Sequence, residues 1–117
     1  MGFVKEWHSI QKDVHRLARE KGWYPEKRNS GEQIALIHSE LSEALEALRK
    51  GNPVSRHLCD PSISDSDLFS EAEEELADVV IRIMDLAEYR GWLIAEAIEA
   101  KHNYNKKRPQ RHGDKLF

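Results

Sequence analysis

The 117-residue sequence contains one cysteine, four prolines and no long apolar run. A lone Cys59 excludes a disulfide framework and suits a reducing cytoplasm. It also counts against His57, Cys59 and Asp60 as metal ligands, because no second Cys or His follows at zinc spacing. No stretch stays apolar long enough to cross a bilayer and no signal-peptide pattern is recognisable, so neither a membrane nor an export route is expected. Met1-Gly2 is followed by Glu6 where a myristoylation site needs Ser or Thr. The six glycines are scattered rather than clustered, which excludes a glycine-rich phosphate loop. Strand-like alternation, tandem repeats and low-complexity tracts are missing as well.

What is present is charge in helical patterns. Charged residues make up 33% of the chain, and the length is that of one domain, taken as 1–117. The net charge of -3 hides an asymmetry. Residues 1–100 carry 12 Lys+Arg and 20 Asp+Glu, a balance of -8; residues 101–117 carry six basic residues against Asp114, a balance of +5. An acidic centre with a basic tail at 109–117 suits a metal–phosphate ligand, although a solvated basic C-terminus accounts for the charge alone more simply.

The periodicity predicts four helices and an all-α fold. Helix 1 covers 3–21, with an apolar stripe of Phe3, Trp7, Ile10, Val14, Leu17 and Ala18, and Gly22 as its stop. The loop that follows holds Trp23-Tyr24-Pro25. Two adjacent aromatics there either cap the end of the core or offer a stacking surface. Helix 2 starts near Ser30, where Ser30 with Gln33 and Asn29 with Glu32 both have capping-box spacing. Its stripe is Ile34, Ile37, Leu41, Ala44, Leu45 and Leu48, and Gly51-Asn52-Pro53 ends it. Residues 52–69 read as a loop and a candidate lid. Helix 3 starts near Ser70, with Ser70 and Glu73 at capping-box spacing and a stripe of Leu76, Val79, Val80, Ile83, Leu86 and Ala87. Helix 4 is expected from Trp92 to Lys107, after Gly91 and before Pro109. Long thin helices leave apolar surface over, so association of copies is expected.

Two pairs of acids stand out. Glu40 and Glu43 lie three residues apart on helix 2, and Glu75 and Asp78 repeat the spacing on helix 3. Three residues is close to one helical turn, so each pair projects from one side. Dipole-favoured acids at the start of helix 3 account for Glu71, Glu73, Glu74 and Glu75, but not for Asp78 a turn later. If the two helices pack antiparallel, the pairs can meet. Four carboxylates repel one another without a cation between them, and hard divalent ions such as Mg2+ take oxygen ligands of this kind. Arg82, four residues after Asp78, is placed to orient it. On helix 4 the face of Ile94 and Ile98 continues as Lys101, Asn105 and Arg108, which is poor packing and good anion recognition. Snorkelling side chains at a fraying helix end are the alternative.

Glu40-x-x-Glu43, a spacer, then Glu75-x-x-Asp78 resembles the signature of the MazG-like, all-α nucleoside triphosphate pyrophosphohydrolases. Lys101-x-x-x-Asn105-x-x-Arg108-Pro109, followed by His112-Gly113, is similar to the C-terminal pattern of the same family. The resemblance covers roughly residues 30–113. It implies a four-helix bundle subunit that assembles into a homodimer or homotetramer. It also implies Mg2+-dependent cleavage of a nucleoside triphosphate between the α and β phosphates, with Mn2+ as a substitute metal. Glu40, Glu43, Glu75 and Asp78 would be metal ligands, and Lys101, Asn105 and Arg108 would hold phosphates. Trp7, Trp23 or His38 would line a base pocket, and Glu46 would orient or deprotonate the attacking water. The implied partners are a nucleoside triphosphate and further copies of the chain, with no membrane and no nucleic acid polymer. Two departures stand out: the spacer from Ala44 to Glu74 is long, and Asp114 follows Gly113 where a lysine is more usual.

Other readings are a phosphoribosyl-ATP pyrophosphatase, which shares the fold, and a non-enzymatic helical interaction module whose acids are a solvated face. A di-iron carboxylate bundle is disfavoured, because it expects Glu-x-x-His and no His stands three residues after Glu40 or Glu75.

Overall fold

The structure, a computed structural model, describes residues 2–56 and 68–109. It contains four helices: α1 (Phe3–Glu20), α2 (Ser30–Arg49), α3 (Glu71–Arg90) and α4 (Ile94–Lys106). Among the described residues there is no β-strand, only an isolated antiparallel bridge between Val54 and Ser70. None of these helices is long and apolar enough to cross a membrane. His57, Cys59, Asp60 and the tail residues His112 to Lys115 lie outside the described residues.

The helix ends follow the sequence signals. Glycines 22, 51 and 91 each adopt positive φ just past a helix, where a side chain would be strained. In each case the next residue's N–H turns back to the helix: Trp23 to the Ala18 carbonyl, Asn52 to Ala47 and Trp92 to Ala87. Ser70 and Glu73 form the complete capping box of α3. At α2, Asn29 rather than Ser30 is the cap, accepting from the amides of Gly31 and Glu32 at 2.7 and 3.2 Å. α4 begins at Ile94, two residues later than expected, because the turn at Gly91 takes up Trp92.

α2 and α3 form an antiparallel pair. The end of α2 meets the start of α3 through Lys50–Glu71 at 3.0 Å and through Asn52 Oδ1, which accepts from the Ala72 amide at 2.9 Å. The start of loop 52–69 is pinned to α3 and to the end of the same loop. The Glu71 amide donates to the Pro53 carbonyl and the Ser55 amide to the Phe69 carbonyl, while the Ser55 hydroxyl bonds Glu74. α1 crosses α3 in the opposite direction, with Gln11 on Glu88 and His15 on Asp85. α4 packs chiefly on α1, burying Ala95 and placing Glu96 3.0 Å from His8.

The core differs from the expected stripes. α1 buries Gln11, His15 and Ala18, whereas Ile10 and Leu17 are about half exposed. α2 buries Gln33, Ala44 and Ala47 and leaves Ile34, Leu41, Leu45 and Leu48 exposed. α3 buries Val79, Leu86 and Ala87 as expected, together with Ala72, Met84 and Asp85, but Leu76 and Val80 face outward. Periodicity finds an apolar face without saying what covers it. Here alanines supply much of the buried surface, their small size allowing close helix approach, and many of the bulky residues stay about half exposed on the flanks.

Ser70→Ala removes the side chain that caps α3 and is expected to lower stability by about 1 kcal/mol in urea unfolding. Ser39→Ala, whose hydroxyl only reaches back to the Leu36 carbonyl on an exposed surface, should change it by no more than about 0.5 kcal/mol.

Candidate metal centre

Antiparallel packing of α2 against α3 turns three of the four paired acids toward one another. One carboxylate oxygen each from Glu40, Glu75 and Asp78 lie within 4.8 Å of one another, and all three residues are half-buried. Glu40 falls between Gln33, Ala44 and Ala47 on the face that α2 buries. Glu75 and Asp78 lie about 40° and 100° round α3 on one side of the buried Val79. Glu43 is the exception. Three residues beyond Glu40 is about 300° of rotation, which leaves it some 60° further round α2. It is exposed and outside the cluster, although its charge still helps to raise the Glu75 pKa.

The cluster is electrostatically unfavourable as it stands. Burial pushes the Glu75 carboxyl above its ordinary range, helped by the charges of Asp78 and Glu40 and by a hydrogen bond with Glu40. Burial also raises Asp78, with Glu40 and Glu74 adding to the effect and Arg82 opposing it. Arg82 does not bind Asp78 directly, as the four-residue spacing suggested; its Nε donates to Glu40 Oε1 at 2.9 Å across the helix pair. One guanidinium against three carboxylates leaves about two negative charges. Oxygen donors, close spacing and that residual charge fit a hard divalent cation.

Trp23 stands next to this centre. Its ring lies 5.7 Å from the Arg82 guanidinium, and it shares a narrow cleft with Arg28, Gln33, Leu36, Arg82 and Asp85. The other expected site residues are elsewhere. Trp7 donates to Gln11 Oε1 at 2.9 Å and packs on Phe3, both on α1. His38 is exposed, about 200° round α2 from Glu40. Glu46 is exposed and pairs with Arg49 at 3.8 Å. Lys101 and Asn105 line a shallow depression on α4 with Ile94 and Ile98, as their shared face predicts. Lys101 and Arg108 lie 5.5 and 6.0 Å from the Tyr104 ring. Among the described residues, no hydrogen bond or ion pair joins α4 to the acid cluster within the chain.

A buried polar network behind Trp23 was missed from the sequence. Asp85 accepts from His15 Nδ1 at 2.7 Å and from the Tyr24 hydroxyl at 2.6 Å. That hydroxyl in turn accepts from Gln33 Nε2 at 3.0 Å. Burial, and then the Asp85 carboxylate, push the Tyr24 phenol far above its ordinary range, so it remains a neutral donor. The available signal was the spacing of Gln11, His15 and Ala18 on α1, which repeats at four and three residues beside the apolar stripe.

No protein-family model, curated protein or solved structure matches the chain.

Two outcomes follow from the cluster. Calorimetric titration of Mg2+ or Mn2+ should show binding that Asp78→Asn weakens strongly and Glu43→Gln weakens less; equal binding in wild type and Asp78→Asn would remove Asp78 from the site. The pH dependence has a definite sign. Carboxyls with raised folded pKa values stabilise the fold below their unfolded values and lose that contribution as pH rises through the folded ones. Thermal melts should therefore give a larger rise in Tm with saturating Mg2+ at pH 7.5 than at pH 5, because the ion replaces protons.

Proposed function

We propose that this chain is a Mg2+-dependent nucleoside triphosphate pyrophosphohydrolase of the MazG-like kind, acting in the cytoplasm on the nucleotide pool. The observation that carries the reading is the convergence of Glu40, Glu75 and Asp78 from two antiparallel helices, with Glu75 and Asp78 raised in pKa by their surroundings. A divalent ion held by these acids would neutralise phosphate charge and activate a water molecule. Glu43, close by but outside the cluster, is free to act as the base that takes the proton of the attacking water. Exposed Trp23 under the Arg82 guanidinium offers a stacking surface for the base.

The phosphate grip of Lys101, Asn105 and Arg108 then has to come from a second copy. Within one chain α4 is packed chiefly on α1 and has no described bond to the acids. Exposed Leu41, Leu45, Leu48, Leu76 and Val80 on α2 and α3 supply apolar surface for such an assembly. The reading is thus a homo-oligomer whose active sites are shared between copies.

A panel of nucleoside triphosphates with Mg2+ and pyrophosphate release as the readout tests the activity; no release from any would refute it. Lys101→Met should keep the melting temperature and lower kcat/KM by about one to two powers of ten, since a lost charge-assisted contact is worth about 1.5–3 kcal/mol. Mixing Asp78→Asn with Lys101→Met distinguishes grip in trans from grip in cis. In trans, random mixed dimers regain activity to about a quarter of wild type, the share of intact sites. In cis, mixing restores nothing.

A further inference from the structure

Around the loop between α1 and α2 stand cations that no described carboxylate pairs with. Lys27 and Arg28 in the loop and Arg90 at the end of α3 line an open depression of about 620 Å3 with Asn29, Ser30 and Tyr89. Among the described residues none of the three cations forms an ion pair, although Glu26 and Glu32 are close in the chain. The two arginines are held in place. Arg28 Nη1 donates to the Trp23 carbonyl at 2.9 Å, and its guanidinium lies 5.5 Å from the Tyr24 ring. Arg90 Nη2 donates to the Arg28 carbonyl at 2.6 Å, and its guanidinium lies 4.9 Å from the Tyr89 ring.

Each guanidinium has five N–H donors, and these bonds take one apiece. Like charges lining one depression repel, and an anion held there lowers their energy. The start of α2 is not the source of the donors, because Asn29 Oδ1 already accepts from the Gly31 and Glu32 amides. The side chains carry the site.

We propose that this depression binds a phosphate group. A phosphate offers more charge and more acceptor oxygens than a carboxylate, and its oxygens suit the planar fork of a guanidinium. Lys27 adds a third positive charge. Arg28 also lines the narrow cleft beside Trp23, so a phosphate here sits near an exposed indole on which the base of a nucleoside monophosphate can stack. None of its three cations pairs with the acid cluster, although Arg28 lines the same cleft as Arg82. Ten residues of α2 lie between Asn29 and Glu40, and the eleven steps rise roughly 16 Å at 1.5 Å per residue. Binding of the phosphate group here does not rest on the metal-dependent reading; stacking of a base on Trp23 shares that residue with it.

The test titrates inorganic phosphate and a nucleoside 5′-monophosphate into the full chain in metal-free buffer. Calorimetry gives affinity, and amide NMR shifts at Arg28, Ser30 and Arg90 give location. Saturable binding is expected, weakened about tenfold or more by Arg90→Gln and by Lys27→Gln, and unchanged by Lys12→Gln on exposed α1 surface. Lys27→Gln guards against misfolding, because Arg90→Gln also removes the bond to the Arg28 carbonyl. Tighter binding of the monophosphate, lost in Trp23→Ala, identifies the group as part of a nucleotide; equal binding of both anions identifies free phosphate. No saturable binding of either anion, or binding that Arg90→Gln and Lys27→Gln both leave unchanged, overturns the proposal. Without metal in the buffer, either outcome leaves the hydrolase reading to its own test.

Discussion

The Asp85 carboxylate holds the three packed helices in register. A buried carboxylate is costly unless its oxygens are bonded, and Asp85 is satisfied by His15 of α1 and Tyr24 of the following loop. Through the Tyr24 hydroxyl, Gln33 of α2 joins the same network. The consequence reaches the acid cluster. Glu40 lies seven residues after Gln33 on α2, and Asp78 lies seven residues before Asp85 on α3. Seven residues is close to two helical turns, so the same faces recur. In an antiparallel pair, fixing Gln33 near Asp85 sets Glu40 opposite Asp78. Tyr24 has to remain a neutral donor for this to hold, and its raised pKa ensures that.

The sequence was most informative where chemistry is local. Gly22, Gly51 and Gly91 ended helices because each takes a positive φ and lets the following amide reach back. Ser70 and Glu73 satisfy one another's backbone within four residues. The meeting of Glu40 with Glu75 and Asp78 was also legible, because paired acids at helical spacing on two neighbouring helices have few low-energy ways to be half-buried. The less legible features depended on rotation between helices. A difference of about 60° separates Glu40 inside the cluster from Glu43 outside it. A similar ambiguity allowed Arg82 to reach across to Glu40 rather than along its own helix to Asp78.

The stripes misled for a related reason. Ala44, Ala47, Ala72 and Ala87 are buried on α2 and α3, while Leu45, Leu48 and Leu76 stay about half exposed. A helix with an apolar arc wider than one contact can bury either edge of it. The edge that packs here is the one carrying Gln33, Asp85 and His15, whose burial is compensated by the hydrogen bonds they make through Tyr24 and to one another. One gap in that economy remains: Gln33 Oε1 is buried without a partner. Its Nε2 has to face Tyr24, since the hydroxyl donates to Asp85 and can only accept from Gln33, so the amide cannot turn to satisfy its oxygen.

Arg82 links the two halves of the site. Its hydrogen bond to Glu40 offsets one of three clustered negative charges, and its guanidinium also lies over Trp23. A single cation thus touches both the oxygen-rich centre and the aromatic cleft. Replacing it by methionine would leave the buried charge of Glu40 without its partner and remove the cation from the indole face at once. Lysine at the same position would retain the charge but lose the planar group that can bond a carboxylate edge-on while stacking over a ring. The geometry therefore depends on a guanidinium at position 82, not merely on a positive charge.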